Sequence, residues 1–259
     1  MPNSRPEWLK WAKRQKSAAL TNSTIDEANA NMTALQGLDR NAIEKLVRES
    51  LRQRLMGEVR VKPVSHNGGP NPLVVNVSAR HMHVSPEALE VLFGPGSSLT
   101  KLKDLYQQGE FASEQTVNLI GPRSRMIPNV RILGPVRPYT QIELSYTDGI
   151  YMGLDLPLRI SGDHKDTPGM VVVGPYGALN MKQGVIRAMR HVHMNKDDMA
   201  HYGVKDGDNM KLAIHGPCGM VFDNVRVREH PKVKLEVHID TDEGNACDLE
   251  SATRIELLR

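Results

Sequence analysis

Two stretches of this chain repeat each other, and the repeat limits the possible folds more than any other feature of the sequence. Arg80-His81-Met82-His83-Val84-Ser85-Pro86-Glu87 resembles Arg190-His191-Val192-His193-Met194-Asn195-Lys196-Asp197. In each stretch a His-x-His is followed by a residue suited to cap a short helix, Ser85 or Asn195. A second correspondence lies downstream, between VRILGPVRPYTQIELSYTD, starting at Val130, and VRVREHPKVKLEVHIDTD, starting at Val225. With the two Val-Arg pairs aligned, Glu143 falls opposite His238. Each half thus offers two histidines and one later metal-capable side chain: His81, His83 and Glu143 in one, His191, His193 and His238 in the other.

Alternate residues of a strand point to one face, so His-x-His on a strand aims two imidazoles at one point. A third ligand from a neighbouring strand gives a three-ligand site with a position left open, the pattern of catalytic rather than structural zinc. One such pair alone reads as surface or capping histidines. Two in matched register favour a metal at each. His66, His164, His201, His215 and His230 stand outside the pattern and read as ordinary surface or structural residues. The two cysteines, Cys218 and Cys247, are too few for a disulfide scaffold, fit a reducing cytoplasm, and are expected to be buried rather than catalytic. The chain contains neither a Gly-x-Ser-x-Gly elbow nor a Walker loop.

From Leu73 onward, short β-rich runs alternate with Gly and Pro turns: LVVNVSA, TVNLIG, VRILGP, QIELSYT, LRISG, GMVVVGP, NMKLAIHG, MVFDNVRV and KLEVHID. Such texture predicts small barrels or sandwiches. Helices are expected at Pro86–Phe93, Thr100–Gln107 and Lys196–Tyr202. Ahead of this body, residues 1–38 are polar and read as mostly disordered, with a short helix around Glu7–Ser17. Asn41–Met56 places Ile43, Leu46, Val47, Leu51 and Leu55 on one helical face, with Asn41 as cap and Gly57 as stop. His66–Pro72 reads as a linker. The apolar stripe either packs back on the body or docks on a partner.

Gly134-Pro135-Val136-Arg137-Pro138 precedes Glu143 and holds Arg137 between rigid neighbours. Arginine grips phosphate bidentately and stays charged, so Arg137 is a candidate anion site beside the first metal; a solvated turn arginine is the alternative. Arg123, Arg125 and Arg131 on the same stretch suit a substrate with several phosphates, or form a solvated edge. Net charge of +3 and only 4% aromatic residues give no reason to expect a nucleic-acid partner. No apolar run is long enough to cross a bilayer, and the N-terminus lacks the apolar core of a secretory signal.

VSARHMHVS, VRILGPVRP, QIELSYTD, Ser161-Gly162-Asp163, KQGVIRAMRHVHM and HIDTDEGNA together resemble the signature blocks of PduL-type phosphate propanoyltransferases, in the family order, over roughly Leu73 to Leu249. The resemblance implies a mainly β fold of two small β-barrel domains with short capping helices, related by a pseudo-twofold repeat and preceded by a flexible N-terminal helical extension. The extension would span 1–72, one barrel 73–80 plus 189–259, and the other barrel 81–188. It implies two zinc ions per chain, held by the two triads above, and Arg137 as the phosphate-binding arginine. Coenzyme A contacts would fall at Ala79, Arg80, Arg131 and Asn245. The family's Gly-Pro-Lys-Gly turn is here the longer Gly121-Pro122-Arg123-Ser124-Arg125, which moves one further contact to Arg123 or Arg125. The implied reaction converts a short-chain acyl-CoA and phosphate to acyl phosphate and CoA. The helix at Asn41–Met56 would bind shell or core proteins of a bacterial microcompartment, and a homo-oligomer is compatible. Two rival readings stand beside it: a zinc hydrolase or thioesterase, and a non-catalytic zinc-binding microcompartment module.

Overall fold

The structure, a computed structural model, describes residues 61–63 and 69–259. The expected helices at Glu7–Ser17 and Asn41–Met56 lie outside the described residues. In chain order the elements are β1 (Val61–Pro63), β2 (Val74–Ser78), β3 (His81–His83), α1 (Pro86–Phe93), β4 (Lys101–Asp104), β5 (Phe111–Ile120), β6 (Met126–Gly134), β7 (Gln141–Glu143), α2 (Tyr146–Met152), β8 (Leu158–Arg159), β9 (Val171–Val173), β10 (Ala178–Asn180) and β11 (Val185–Ala188). Then follow β12 (His191–Met194), α3 (Lys196–Tyr202), β13 (Asn209–His215), β14 (Met220–Glu229), β15 (Glu236–Asp240), α4 (Thr241–Ala246), a 3-10 turn (Leu249–Ser251) and β16 (Arg254–Leu258).

The fold is mainly β, with two sheets each curled into a half-barrel. One runs β1-β2-β15-β12-β14-β13-β16; the other runs β10-β9-β5-β6-β3-β7-β11-β8, with β4 added against β5. The chain therefore leaves the first sheet after β2, builds the whole of the second, and returns at β12. Each sheet has its own apolar core. Met82, Leu119, Ile132 and Ile142 centre one; Val192, Leu212, Val225 and Val237 centre the other. The middle residue of each His-x-His, Met82 or Val192, is fully buried in its core. Strand alternation then turns the flanking histidines to the opposite face.

The two strand sets share one register. His81 pairs with Arg131 on parallel β6 and with Glu143 on antiparallel β7. His191 pairs with Arg226 on parallel β14 and with His238 on antiparallel β15. Beyond the third ligand, Glu143 faces Ile186 of parallel β11, and His238 faces Asn76 of parallel β2. The following helices start alike. Ser85 and Asn195 cap α1 and α3. Ser145 with Asp148, and Asp240 with Glu243, form capping boxes on α2 and α4.

The structure corrects three expectations. Thr100–Gln107 is not a helix: Lys101–Asp104 is an edge strand, Asp104 pairing with Phe111 and Lys101 with Ser113. The Lys101–Asp104 contact at 3.0 Å looks helical in spacing, but the open edge of β5 offers a full row of backbone partners, which outweighs a weak local propensity. QIELSYT does not continue as one strand, because the chain leaves the sheet after Glu143 and Ser145 starts α2. Cys218 is exposed, on the turn between β13 and β14, whereas Cys247 is buried as expected. Within the expected extension 1–72, Val61–Pro63 pairs with β2 as an edge strand. Among the described residues no helix is long and apolar enough to cross a membrane.

Candidate metal centre

The crossovers between sheets also orient the ligands. β2 hands the chain to β3 through Ala79 and Arg80, and the Ala79 carbonyl accepts a hydrogen bond from His81 Nδ1 at 2.8 Å. β11 hands it to β12 through Met189 and Arg190, and the Met189 carbonyl accepts from His191 Nδ1 at 2.9 Å. Fixing Nδ1 as the protonated nitrogen leaves Nε2 with its lone pair free to bind a metal. His83 Nδ1 faces the Leu133 carbonyl at 3.4 Å, and His238 Nδ1 meets Ser78 Oγ at 3.1 Å.

The ligand atoms of His81, His83 and Glu143 all lie within 4.8 Å of one another, as do those of His191, His193 and His238. His81 Nε2 is 3.5 Å from Glu143 Oε2. The His191 and His238 rings stack at 4.8 Å, and His193 stands edge-on to both. His238 Nε2 is buried, with the Glu236 carboxylate 3.1 Å from it. Donor type and convergence fit a divalent zinc-like ion at each triad.

Burial keeps His83, His191 and His193 neutral. His83 is pushed down to about 2, first by desolvation and then by the charges of His81 and Arg137. His193 falls to about 3, by desolvation and then by His238 and Arg228. His191 lies well below its ordinary value, for desolvation and the nearness of His238 and His193. Neutral imidazole is the metal-binding form. A stability consequence follows for the metal-free chain. The unfolded histidines titrate near 6.5, so below that pH the unfolded chain binds protons that the folded chain excludes. Stability is therefore full above pH 6.5 and falls as pH drops, by up to about 1.4 kcal/mol per histidine per pH unit. The urea midpoint of chelator-treated protein should be lower at pH 5 than at pH 7.5; equal midpoints would contradict the burial of these neutral groups.

Arg137 lies where the sequence puts it, on the turn after β6. Its N–H donates to the Val84 carbonyl at 2.9 Å. Gly134 makes that turn possible, since any side chain there would collide with the Phe111 ring. The guanidinium pairs with Glu110 at 3.2 Å and reaches Tyr139 and Ser161 at 3.4 Å. A cavity of about 690 Å³ is lined by Gln107, Glu110, His193, Arg228, His230 and Lys232. It brings a ligand of the second triad and the partner of Arg137 to one space, within the size range of ligand pockets. A smaller crevice of about 10 Å³ touches Glu143 of one triad together with His191 and His238 of the other.

The remaining predicted residues make separate contacts, and Arg80 and the helix of Asn245 meet at α2. Arg80 pairs with Asp148 of α2 at 3.1 Å, and the Thr147 N–H of α2 donates to Asp242 of α4 at 2.8 Å. Asn245 is exposed on α4. Arg131 directs its guanidinium at the Ser113 and Glu114 carbonyls, at 2.8 and 3.1 Å. Arg123 packs over Gly153 at the far end of α2, and Arg125 donates to the Tyr151 carbonyl at 3.1 Å. Sequence reasoning missed Gln141 and Glu236, both essentially fully buried. Each stands two residues before a third ligand, and the alignment that pairs Glu143 with His238 also pairs these two.

A family model described as phosphate propanoyltransferase matches residues 74–250. A phosphate propanoyltransferase from Planctopirus limnophila is 57% identical over 225 residues, covering 86% of this chain and 92% of that protein. One from Thermotoga maritima is 48% identical over 178 residues, covering 68% and 84%. Another, from Salmonella typhimurium, is 42% identical over 206 residues, covering 79% and 93%.

Proposed function

Because the chain belongs to the phosphate propanoyltransferase family, we propose that it is a zinc-dependent phosphotransacylase acting on propanoyl-CoA or acetyl-CoA. The observation that carries this reading is the pair of three-ligand triads, with Glu143 of one and His191 and His238 of the other on one crevice, and Arg137 bonded through its backbone to Val84, next to His83. Two zinc ions per chain would be held by His81, His83 and Glu143, and by His191, His193 and His238. Bound there, zinc supplies an affinity for sulfur and polarisation of the thioester carbonyl.

The chain's own residues do the rest. Arg137 holds two phosphate oxygens and, anchored by Glu110, sets the direction of attack. A phosphate oxygen attacks the thioester carbonyl carbon; the C–O bond forms, the C–S bond breaks and the CoA thiolate leaves. No covalent acyl-enzyme is needed. Cys247 is buried, which raises its thiol above the ordinary value, and Cys218 lies on an exposed turn. Arg228, His230 and Lys232 give the larger cavity the charge that suits phosphate-bearing substrates. Ala79, Arg80, Arg131 and Asn245, with Arg123, are the proposed coenzyme A contacts; Arg80 and the helix carrying Asn245 both meet α2. Two barrels, 73–80 plus 189–259 and 81–188, related by a pseudo-twofold axis, are proposed on the shared register. The amphipathic stretch Asn41–Met56 is proposed to dock on a microcompartment protein, supported by its apolar stripe.

The test is thiol release from propanoyl-CoA by zinc-loaded protein, with and without phosphate. Release is expected only with phosphate and is lost when the metal is stripped. Phosphate-independent release would replace this reading with the hydrolase; zinc binding without any turnover would replace it with a non-catalytic module.

A further inference from the structure

The two triads differ in their donors. Two imidazoles and a carboxylate form one; three imidazoles form the other. Beside each stands a buried residue at the same register position. Gln141 pairs across the sheet with His83, and Glu236 pairs with His193. Gln141 is neutral and donates to the ligand Glu143 at 2.6 Å. Glu236 carries the carboxylate that its triad lacks. Each centre therefore holds one carboxylate, as a ligand in the first and as a neighbour of the ligands in the second.

Glu236 is held as a charge should be. It is 1% exposed, and an ionised carboxylate is not left buried without donors or a compensating cation. Asn76 Nδ2 donates to Oε1 at 3.1 Å. Gln107 Nε2 donates to Oε2 at 2.7 Å. Oε2 also lies 3.1 Å from His238 Nε2. No arginine or lysine pairs with it among the described contacts. Gln107 comes from the other sheet's β4–β5 connection and locks in place through the Lys234 backbone, donating to its carbonyl at 3.0 Å and accepting from its N–H at 3.1 Å. A divalent cation among the three imidazoles would lie beside this carboxylate, which already touches the ligand His238.

We infer that Glu236 is a positioning residue for the second metal: it balances the charge of a divalent cation held by His191, His193 and His238, and through Gln107 ties that centre to the opposite sheet. Gln141 is its uncharged counterpart where Glu143 already supplies the balance. The inference rests on the two-metal reading above.

Zinc content of the full chain after dialysis against a graded chelator tests it, together with melting temperatures of metal-free and zinc-loaded protein. The parent is expected to hold two zinc ions. Glu236→Gln is expected to release one of them at about 10–100-fold lower chelator concentration, the usual effect of losing a residue behind the ligands. The zinc-induced rise in melting temperature should shrink with it; a purely structural role would lower both melts and leave that rise intact. Glu236→Asp, which keeps the charge, should recover most of the affinity. Two zinc ions held by Glu236→Gln at the parental chelator midpoint overturn the inference while leaving the two-metal reading standing. A parent that takes up no zinc overturns both. If Glu236→Gln does not fold, Gln107→Leu probes the same tie: selective loss of one zinc supports it, and parental retention of both overturns it.

Discussion

His193→Ala is expected to lower phosphate-dependent thiol release by about a thousandfold and to cut bound zinc from two ions to one. Carbonyl polarisation by a metal contributes several kcal/mol to a transition state, and each ~1.4 kcal/mol is a factor of ten in rate. The fold should survive, because the core-facing residue of this strand is Val192, not His193. Removing a histidine whose neutral form is favoured by burial also relieves part of the acid sensitivity of the metal-free chain. Circular dichroism and zinc content measured beside the rate separate these effects. Near-parental turnover with one zinc bound would remove the second triad from catalysis.

Arg137→Ala is the second large effect. A preorganised donor to a charged reacting group is worth about 10²–10³ in rate. The loss should appear in phosphate use, with the dependence on acyl-CoA little changed. Arg137→Lys should recover only part, since an ammonium cannot reproduce the planar two-point grip. The Glu110 pairing at 3.2 Å gives the arginine a defined pose before phosphate arrives, which a merely solvated turn residue would not need. Unchanged phosphate kinetics in Arg137→Ala would return it to that lesser role.

The two converging side-chain clusters were legible in the sequence because they follow the strand period and repeat. Aligning Val130 with Val225 requires no knowledge of the fold, yet it puts Glu143 and His238 at the positions that pair with His81 and His191. The helix caps Ser85 and Asn195 were legible for the same local reason. What failed depends on long-range pairing. Lys101–Asp104 becomes a strand only because β5 presents an edge. α2 and α4 begin directly after short strands, and QIELSYT gives no period change where Ser145 turns the chain. Glu236 and Gln107 meet across 129 positions, and a glutamine on a connecting loop has no sequence mark of its own. The Gln141–Glu236 equivalence was present in the alignment but carried no signal until burial and donors were known.

The exchange of strands between sheets has a consequence for synthesis. Chains emerge from the ribosome N-terminus first. β3 through β11 form an unbroken stretch, so their sheet and the His81, His83 and Glu143 triad can assemble as soon as residue 188 is out. β2 has emerged earlier, yet its inner partner β15 has not: Asn76 and Glu236, side by side in the finished protein, are 160 positions apart. Until then Leu73, Val74 and Val75, almost wholly buried at the end, stay uncovered on a nascent strand. A chain cut short between β11 and β15 would keep one complete triad and a permanently sticky N-terminal strand, and would be a target for chaperones or aggregation rather than a working half-enzyme.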